Sequence, residues 1–130
     1  MDSEALWKKF SLAYRKYKAN KYDFCVCFTC GIAKKYKDMD TGHYIDRRHG
    51  AVKFNPLNIE IQCRVCNRFK SGNLDIYKKN IIRKYGKEVE EMLQEEARNG
   101  IEMKEEEVLF LIDYYKNLKL QRQWTLSTNQ

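Results

Sequence analysis

Two cysteine pairs and one histidine carry the first readable chemistry. Cys27-Phe-Thr-Cys30-Gly31 and Cys63-Arg-Val-Cys66 each separate two thiols by two residues. That spacing lets both sulfurs of a pair face one ion, and Gly31 frees the tight turn. A single pair of this kind is shared with redox motifs. Two pairs in one chain point to a closed tetrahedral Zn²⁺ site of the structural type. Cys25 lies off this spacing and fits a small buried apolar residue. Five cysteines, an odd number, suit a reducing compartment and metal ligation better than a disulfide framework.

The stretch from Asp40 to Asn73 holds both histidines, the one proline and Asn67 directly after Cys66. Hydrolysis of a phosphodiester needs a group that takes a proton from water and a metal that offsets developing charge. Neutral imidazole at His43 suits the first task near pH 7. The side-chain oxygen of Asn67 suits the second, as a hard ligand for Mg²⁺. A zinc ion on Cys66 would fix its position. Arg47, Arg48, His49 and Lys53 follow His43 in a basic loop, and Arg64, Arg68 and Lys70 surround the second cysteine pair. As a group they suit phosphate contacts. His49 suits open solvent equally well.

Charge is distributed unevenly. Residues 1–85 carry 19 Lys/Arg and 8 Asp/Glu, a net +11; residues 86–130 carry 6 and 10, a net −4. A basic body of this kind suits a polyanion, or else simply a soluble surface. The basic part is also the part with the metal-type residues, which favours nucleic acid. No run of 18 apolar residues is present, and the first ten residues lack the apolar core of a signal peptide. A soluble, intracellular protein with no membrane span is the expectation.

The elements that must position these residues follow from periodicity. Residues 3–19 read as an amphipathic helix capped by Asp2 or Ser3, with Leu6, Phe10, Tyr14 and Tyr17 as its stripe. Lys34–Asp40 reads as a charged loop, and Thr41–Ile45 as a short strand. Asn58–Gln62 alternates as a half-buried strand, with Asn58, Glu60 and Gln62 on one face and Ile59 and Ile61 on the other. A short helix is expected from about Cys66 to Ser71-Gly72. Three longer helices follow. Leu74–Tyr85 ends at Gly86. Residues 87–98 turn Val89, Met92 and Leu93 inward. Residues 104–120 carry a stripe of Val108, Leu111, Ile112, Tyr115 and Leu118. The expectation is one domain of 1–130: an N-terminal helix within 1–22, a zinc-stapled core at 23–73, a helical part at 74–120 and a frayed tail at 121–130, where Trp124 docks.

The ordered set Gly42-His43-Tyr44-Ile45, Asn58, Gln62-Cys63, Cys66-Asn67 and Ser71-Gly72-Asn73 with Tyr77 resembles the pattern of His-Me finger (ββα-metal, HNH-like) endonucleases. With Cys27-Phe-Thr-Cys30-Gly31 it is similar to the phage NinG/Rap recombination nuclease family, over about residues 27–86. The resemblance implies an α+β fold with a small ββα-metal unit and a four-cysteine zinc site among helices. It implies His43 as general base, Asn67 as ligand of a catalytic Mg²⁺ or Mn²⁺ ion, and Asn58 as a brace for the histidine loop. Cys27, Cys30, Cys63 and Cys66 would hold structural zinc.

Two departures stand out. Gly42 occupies the position where many such nucleases carry an acidic or histidine ligand, which leaves Asp40, Glu60 or water alone as the second ligand. Glu60 stands where related sequences often have histidine. The implied activity is metal-dependent endonucleolytic cleavage, leaving 5′-phosphate and 3′-hydroxyl ends, of branched DNA such as Holliday junctions or D-loop-like intermediates. It would act in the cytoplasm of a bacterial host, as a possible homodimer and with possible recombination partners. A non-catalytic zinc module that binds DNA or a recombination partner, and a sequence-specific HNH nuclease, are the competing readings.

Overall fold

A computed structural model describes the backbone of residues 1–128 and the side chains of residues 1–123. Four helices and two two-stranded sheets make an α+β fold: α1 (Ser3–Lys18), β1 (Phe24–Val26), β2 (Ala33–Lys35), β3 (Met39–His43), β4 (Ile59–Cys63), α2 (Leu74–Tyr85), α3 (Lys87–Asn99) and α4 (Glu105–Thr128). None of the described helices is long and apolar enough to cross a membrane.

The Asp2 carboxylate accepts from the Glu4 N–H at 2.8 Å and caps α1, while Arg15, Lys16 and Lys18 sit in its negative last turn. Its buried face is wider than the expected stripe, because Trp7, Ser11 and Ala13 join Leu6, Phe10 and Tyr14. Tyr17 stays half-buried and stacks on Tyr115 with centroids 5.2 Å apart.

β1 and β2 form an antiparallel hairpin with Cys27–Gly31 at its tip. The expected loop Lys34–Asp40 is therefore corrected. It supplies the end of β2, a 3₁₀ turn at Tyr36–Asp38 and the start of β3. All three residues of β2 are exposed, so its sequence carries no alternation to betray a strand. β3 and β4 pair antiparallel, with Met39 opposite Cys63 and His43 opposite Ile59. The expected strand Thr41–Ile45 is thus shifted two residues toward the N-terminus, and the one at Asn58–Gln62 is shifted by one residue the other way.

Every residue of β4 is buried, where a half-buried strand was expected. One face carries Ile59 and Ile61 into a core with α1 and α4, which includes Phe10, Phe54, Val108 and Ile112. The polar face is covered by α2. There Lys84 Nζ lies 2.7 Å from the Glu60 carboxylate, and the Tyr77 hydroxyl donates to the Gly42 carbonyl. A second core gathers Tyr44, Val52, Tyr77, Ile81 and Leu93. In α3 Leu93 is buried as expected, but Met92 is exposed; the buried Glu90 accepts from the Tyr44 hydroxyl at 2.7 Å.

After Cys63 the chain makes one π-helical turn, Val65–Phe69, closed by Lys70 N–H on the Val65 carbonyl. It stands where the short helix near Cys66 was expected. The last helix corrects the boundary at 120, since α4 continues to Thr128 through the segment read as a frayed tail. Docking of the Trp124 side chain lies outside the described residues.

Phe10 is fully buried and touches Trp7, Phe54 and Tyr115 with ring centroids within 5.9 Å. Phe10→Ala is expected to cost about 3–5 kcal/mol of unfolding free energy. Denaturant titration checks this; a loss below 1 kcal/mol would mean that α1 and α4 do not share this core.

Candidate functional site

Four sulfurs converge at the tip of the hairpin. Cys27, Cys30, Cys63 and Cys66 place their Sγ atoms within 4.8 Å of one another, and Cys30 and Cys63 are 3.7 Å apart. Sulfurs about 2.3 Å from a tetrahedral zinc ion lie about 3.8 Å from each other, so the set fits Zn²⁺. Burial pushes the Cys30 and Cys63 thiols up, while hydrogen-bond donors face three of the sulfurs. Cys66 N–H points at Cys63 Sγ, and Asn73 Nδ2 donates to Cys66 Sγ. Thr29 Oγ1 accepts from Gln62 Nε2, which leaves its own proton for Cys27 Sγ at 3.4 Å. Burial opposes ionisation of Cys27, but the Thr29 hydroxyl and backbone N–H groups outweigh it and hold this thiol below its ordinary range. Cys25 is buried away from the cluster, as expected, and burial raises its pKa.

Beside this cluster lies a polar cleft of about 610 Å³, lined among others by Trp7, Arg15, Asp40, His43, Asn67 and Arg68. His43 enters it from the end of β3. Its Nε2 lies 2.8 Å from the Lys53 carbonyl oxygen. A carbonyl only accepts, so Nε2 carries the proton and Nδ1 carries the lone pair. The Trp7 ring packs 4.7 Å from the imidazole. Burial lowers the His43 pKa to about 4, only partly opposed by the carbonyl bond. The ring is therefore neutral at pH 7.

Asn58 does not line the cleft. It is fully buried; its Oδ1 accepts from Ile45 N–H, and its Nδ2 donates to the Ile45 and Val52 carbonyls. One side chain thus ties both ends of the loop that carries the Lys53 carbonyl to His43. Asn67 does line the cleft. Its Nδ2 donates to Asp40 Oδ2 at 2.9 Å, and its Oδ1 has no protein partner among the described residues.

Asp40 is already engaged, for Arg68 grips both of its oxygens at 2.9 and 3.0 Å. Glu60 faces α2, bound to Lys84 and Tyr85, and does not line the cleft. Gly42 has no room for a ligand, because a Cβ there would collide with the Gln62 side chain. That side chain fills the space, and its Oε1 is buried without a partner.

The basic candidates divide. Arg47, Arg64 and Arg68 line the cleft; Arg48, His49, Lys53 and Lys70 do not. Arg48 folds onto Asp46, and Lys53 donates to Ser3 while lying 5.4 Å from the Phe54 ring. His49 and Lys70 are exposed. Sequence reasoning missed Trp7 and did not single out Arg15, a cleft residue that donates to Ser11 and to the Tyr36 carbonyl. Arg15 stands four residues after Ser11, a helical-neighbour spacing that could have flagged it; nothing marks Trp7, which lies beside the stripe rather than on it.

A family model described as "Bacteriophage Lambda NinG protein" matches residues 8–123. The chain belongs to the NinG family. Protein ninG of Escherichia phage lambda is 40% identical over 63 residues, which are 48% of this chain and 30% of that protein. Protein ninG of Escherichia phage 933W is 38% identical over 63 residues, and that of Salmonella phage P22 is 38% identical over 61 residues. In these pairings the NinG match covers 48% and 46% of this chain and 31% and 30% of the relatives. The chain therefore spans about 30% of the length of the curated NinG proteins it matches. No solved structure matches it.

Two outcomes are expected. Purified protein should carry one zinc per chain by elemental analysis, and chelation or Cys63→Ser should unfold the hairpin and β4 together, seen as lost amide protection. A folded, zinc-free protein overturns this. His43 should show the Nε2–H tautomer by ¹⁵N NMR and stay neutral through pH 5, since its folded pKa near 4 lies below the ordinary 6.5. The unfolded chain takes up the proton first. The stability His43 contributes is thus complete above pH 6.5 and declines as pH falls toward 4. A measured pKa at or above 6.5 contradicts the buried, carbonyl-bonded geometry.

Proposed function

We propose that the chain is a metal-dependent DNA endonuclease of the His-Me finger type that cuts branched recombination intermediates. The observation that carries this reading is the tautomer of His43. The Lys53 carbonyl pins Nε2–H and leaves the lone pair on Nδ1, in a side chain that lines a cleft with Asn67 and four arginines. Nδ1 takes the proton from an attacking water at the phosphate. An approaching phosphate raises the basicity of the imidazole, offsetting the burial that lowers it. Trp7 screens one ring face, and Asn58 keeps the carbonyl loop in register. Arg47 and Arg64 at the cleft hold flanking phosphates.

Asn67 Oδ1 fits a hydrated divalent ion as its one protein oxygen. Bound there, Mg²⁺ or Mn²⁺ would supply positive charge for the scissile phosphate and the leaving oxygen. The family match and the phage relatives support a setting in phage biology, and the site would then act in the host cytoplasm.

One observation favours the second reading, a zinc-containing module that binds DNA without cutting it. The Asp40 carboxylate, the acidic group beside Asn67, is already held by Arg68, and among the described residues no group of three or more metal-type side chains forms apart from the four cysteines.

Single-turnover nicking of a four-way junction against metal concentration separates the two. His43→Ala is expected to reduce cleavage by about 10²–10⁴-fold with zinc content and DNA affinity kept. Asn67→Ala should lose activity that raised Mn²⁺ partly restores, whereas His43→Ala should not respond. No cleavage by the wild type with any divalent ion, with tight binding retained, establishes the second reading. DNA affinity should also fall steeply with salt through counterion release; a flat dependence would assign the basic surface to solubility alone.

A further inference from the structure

We propose that Phe69 is a stacking platform for an unpaired base, and that it makes the site select DNA at branch points. The inference rests on the reading of the cleft as a DNA site and adds the feature of DNA that it recognises.

Phe69 ends the π-helical turn and is 83% exposed. Its segment is not loosely held. Lys70 N–H closes on the Val65 carbonyl, Gly72 N–H on the Cys66 carbonyl and Asn73 N–H on the Lys70 carbonyl, each within 2.9 Å. Cys66 belongs to the four-sulfur cluster, and Asn73 donates to its sulfur. A large apolar ring is thus presented to solvent from a hydrogen-bonded turn next to the sulfur cluster. The two residues around it in sequence are Arg68 and Lys70, and Arg68, Ser71 and Gly72 belong to the cleft wall. Val65, one turn back, is also half exposed at 50%.

An exposed ring between two cationic residues in sequence, on a turn that supplies part of a polar cleft's wall, has the chemistry of a base-stacking surface. Cations meet the backbone, and the ring meets a base face of any sequence. In continuous duplex each base already stacks on its neighbours and offers no face. A ring on the rim gains a partner only where stacking is interrupted, at a junction, flap or gap. Affinity for branched DNA then rises above that for linear duplex without any base being read by hydrogen bonds.

The experiment uses the full chain in a His43→Ala background, so that substrate stays intact. Binding of a linear duplex is compared with a four-way junction carrying 2-aminopurine at the branch point. Quenching of that base is expected on binding. Phe69→Ala should abolish the quenching and weaken junction binding about ten- to a hundredfold, with linear-duplex affinity unchanged; Phe69→Trp should retain both signals. Equal weakening on both substrates, no weakening on either, or intact quenching in Phe69→Ala overturns the proposal. Zinc content and circular dichroism exclude misfolding of the variants. Cleavage is read separately with His43 restored, so a failed nuclease assignment leaves the stacking result standing, and the reverse.

Discussion

Four thiols within 4.8 Å of one another are the constraint on which the rest of the molecule depends. As thiolates without a cation they would repel; around Zn²⁺ they become a closed knot. Two of them lie at the tip of the β1–β2 hairpin and two flank the start of the π-helical turn, so the knot fastens elements far apart in sequence. Phe28 N–H also donates to the Ile61 carbonyl, which ties the hairpin tip to the middle of β4. Everything on the cleft's far wall, from Asn67 to Gly72, follows directly from Cys66. Its position is set by the sulfur cluster, which fits Zn²⁺.

The near wall is organised by hydrogen bonds instead. Asn58 holds the loop whose carbonyl holds His43, and Gln62 links Thr29, beside the sulfurs, to the Gly72 carbonyl on the cleft wall. The same Gln62 occupies the space a side chain at Gly42 would need. The glycine at position 42 and the glutamine two residues after Glu60 are therefore one structural fact. Close packing in the sheet excludes a ligand there.

Much of this was readable from residue type and spacing. The paired cysteines are a short-range pattern with one chemical meaning, and they did converge. Helical periodicity in α1 and α4 located most of the buried positions, because each of those helices covers a core with one face. The two faces of β4 were assigned correctly, though not its complete burial, since nothing local announced that α2 would cover Glu60 and Gln62. The β1–β2 hairpin was invisible: three residues per strand, one of them fully exposed, leave no alternation. The ion pair of Asp40 with Arg68 and the contact of Trp7 with His43 join residues 28 and 36 positions apart. Neither has a sequence signature. The roles proposed for His43, Asn58 and Asn67 came from the ordered motif; the hydrogen bonds around them had no local signal.

The packing of α1 on α4 is a contact between distant parts of the chain. Phe10 meets Tyr115, and Lys119 donates to the Ala19 carbonyl, across 100 residues or more. Contacts of such high sequence separation form slowly, because chain entropy is lost before the contact is gained. Trp7 rides on the same helix and meets His43 across 36 positions. A refolding chain whose α1 is still undocked therefore has an imidazole open to water, whatever the state of its sulfurs.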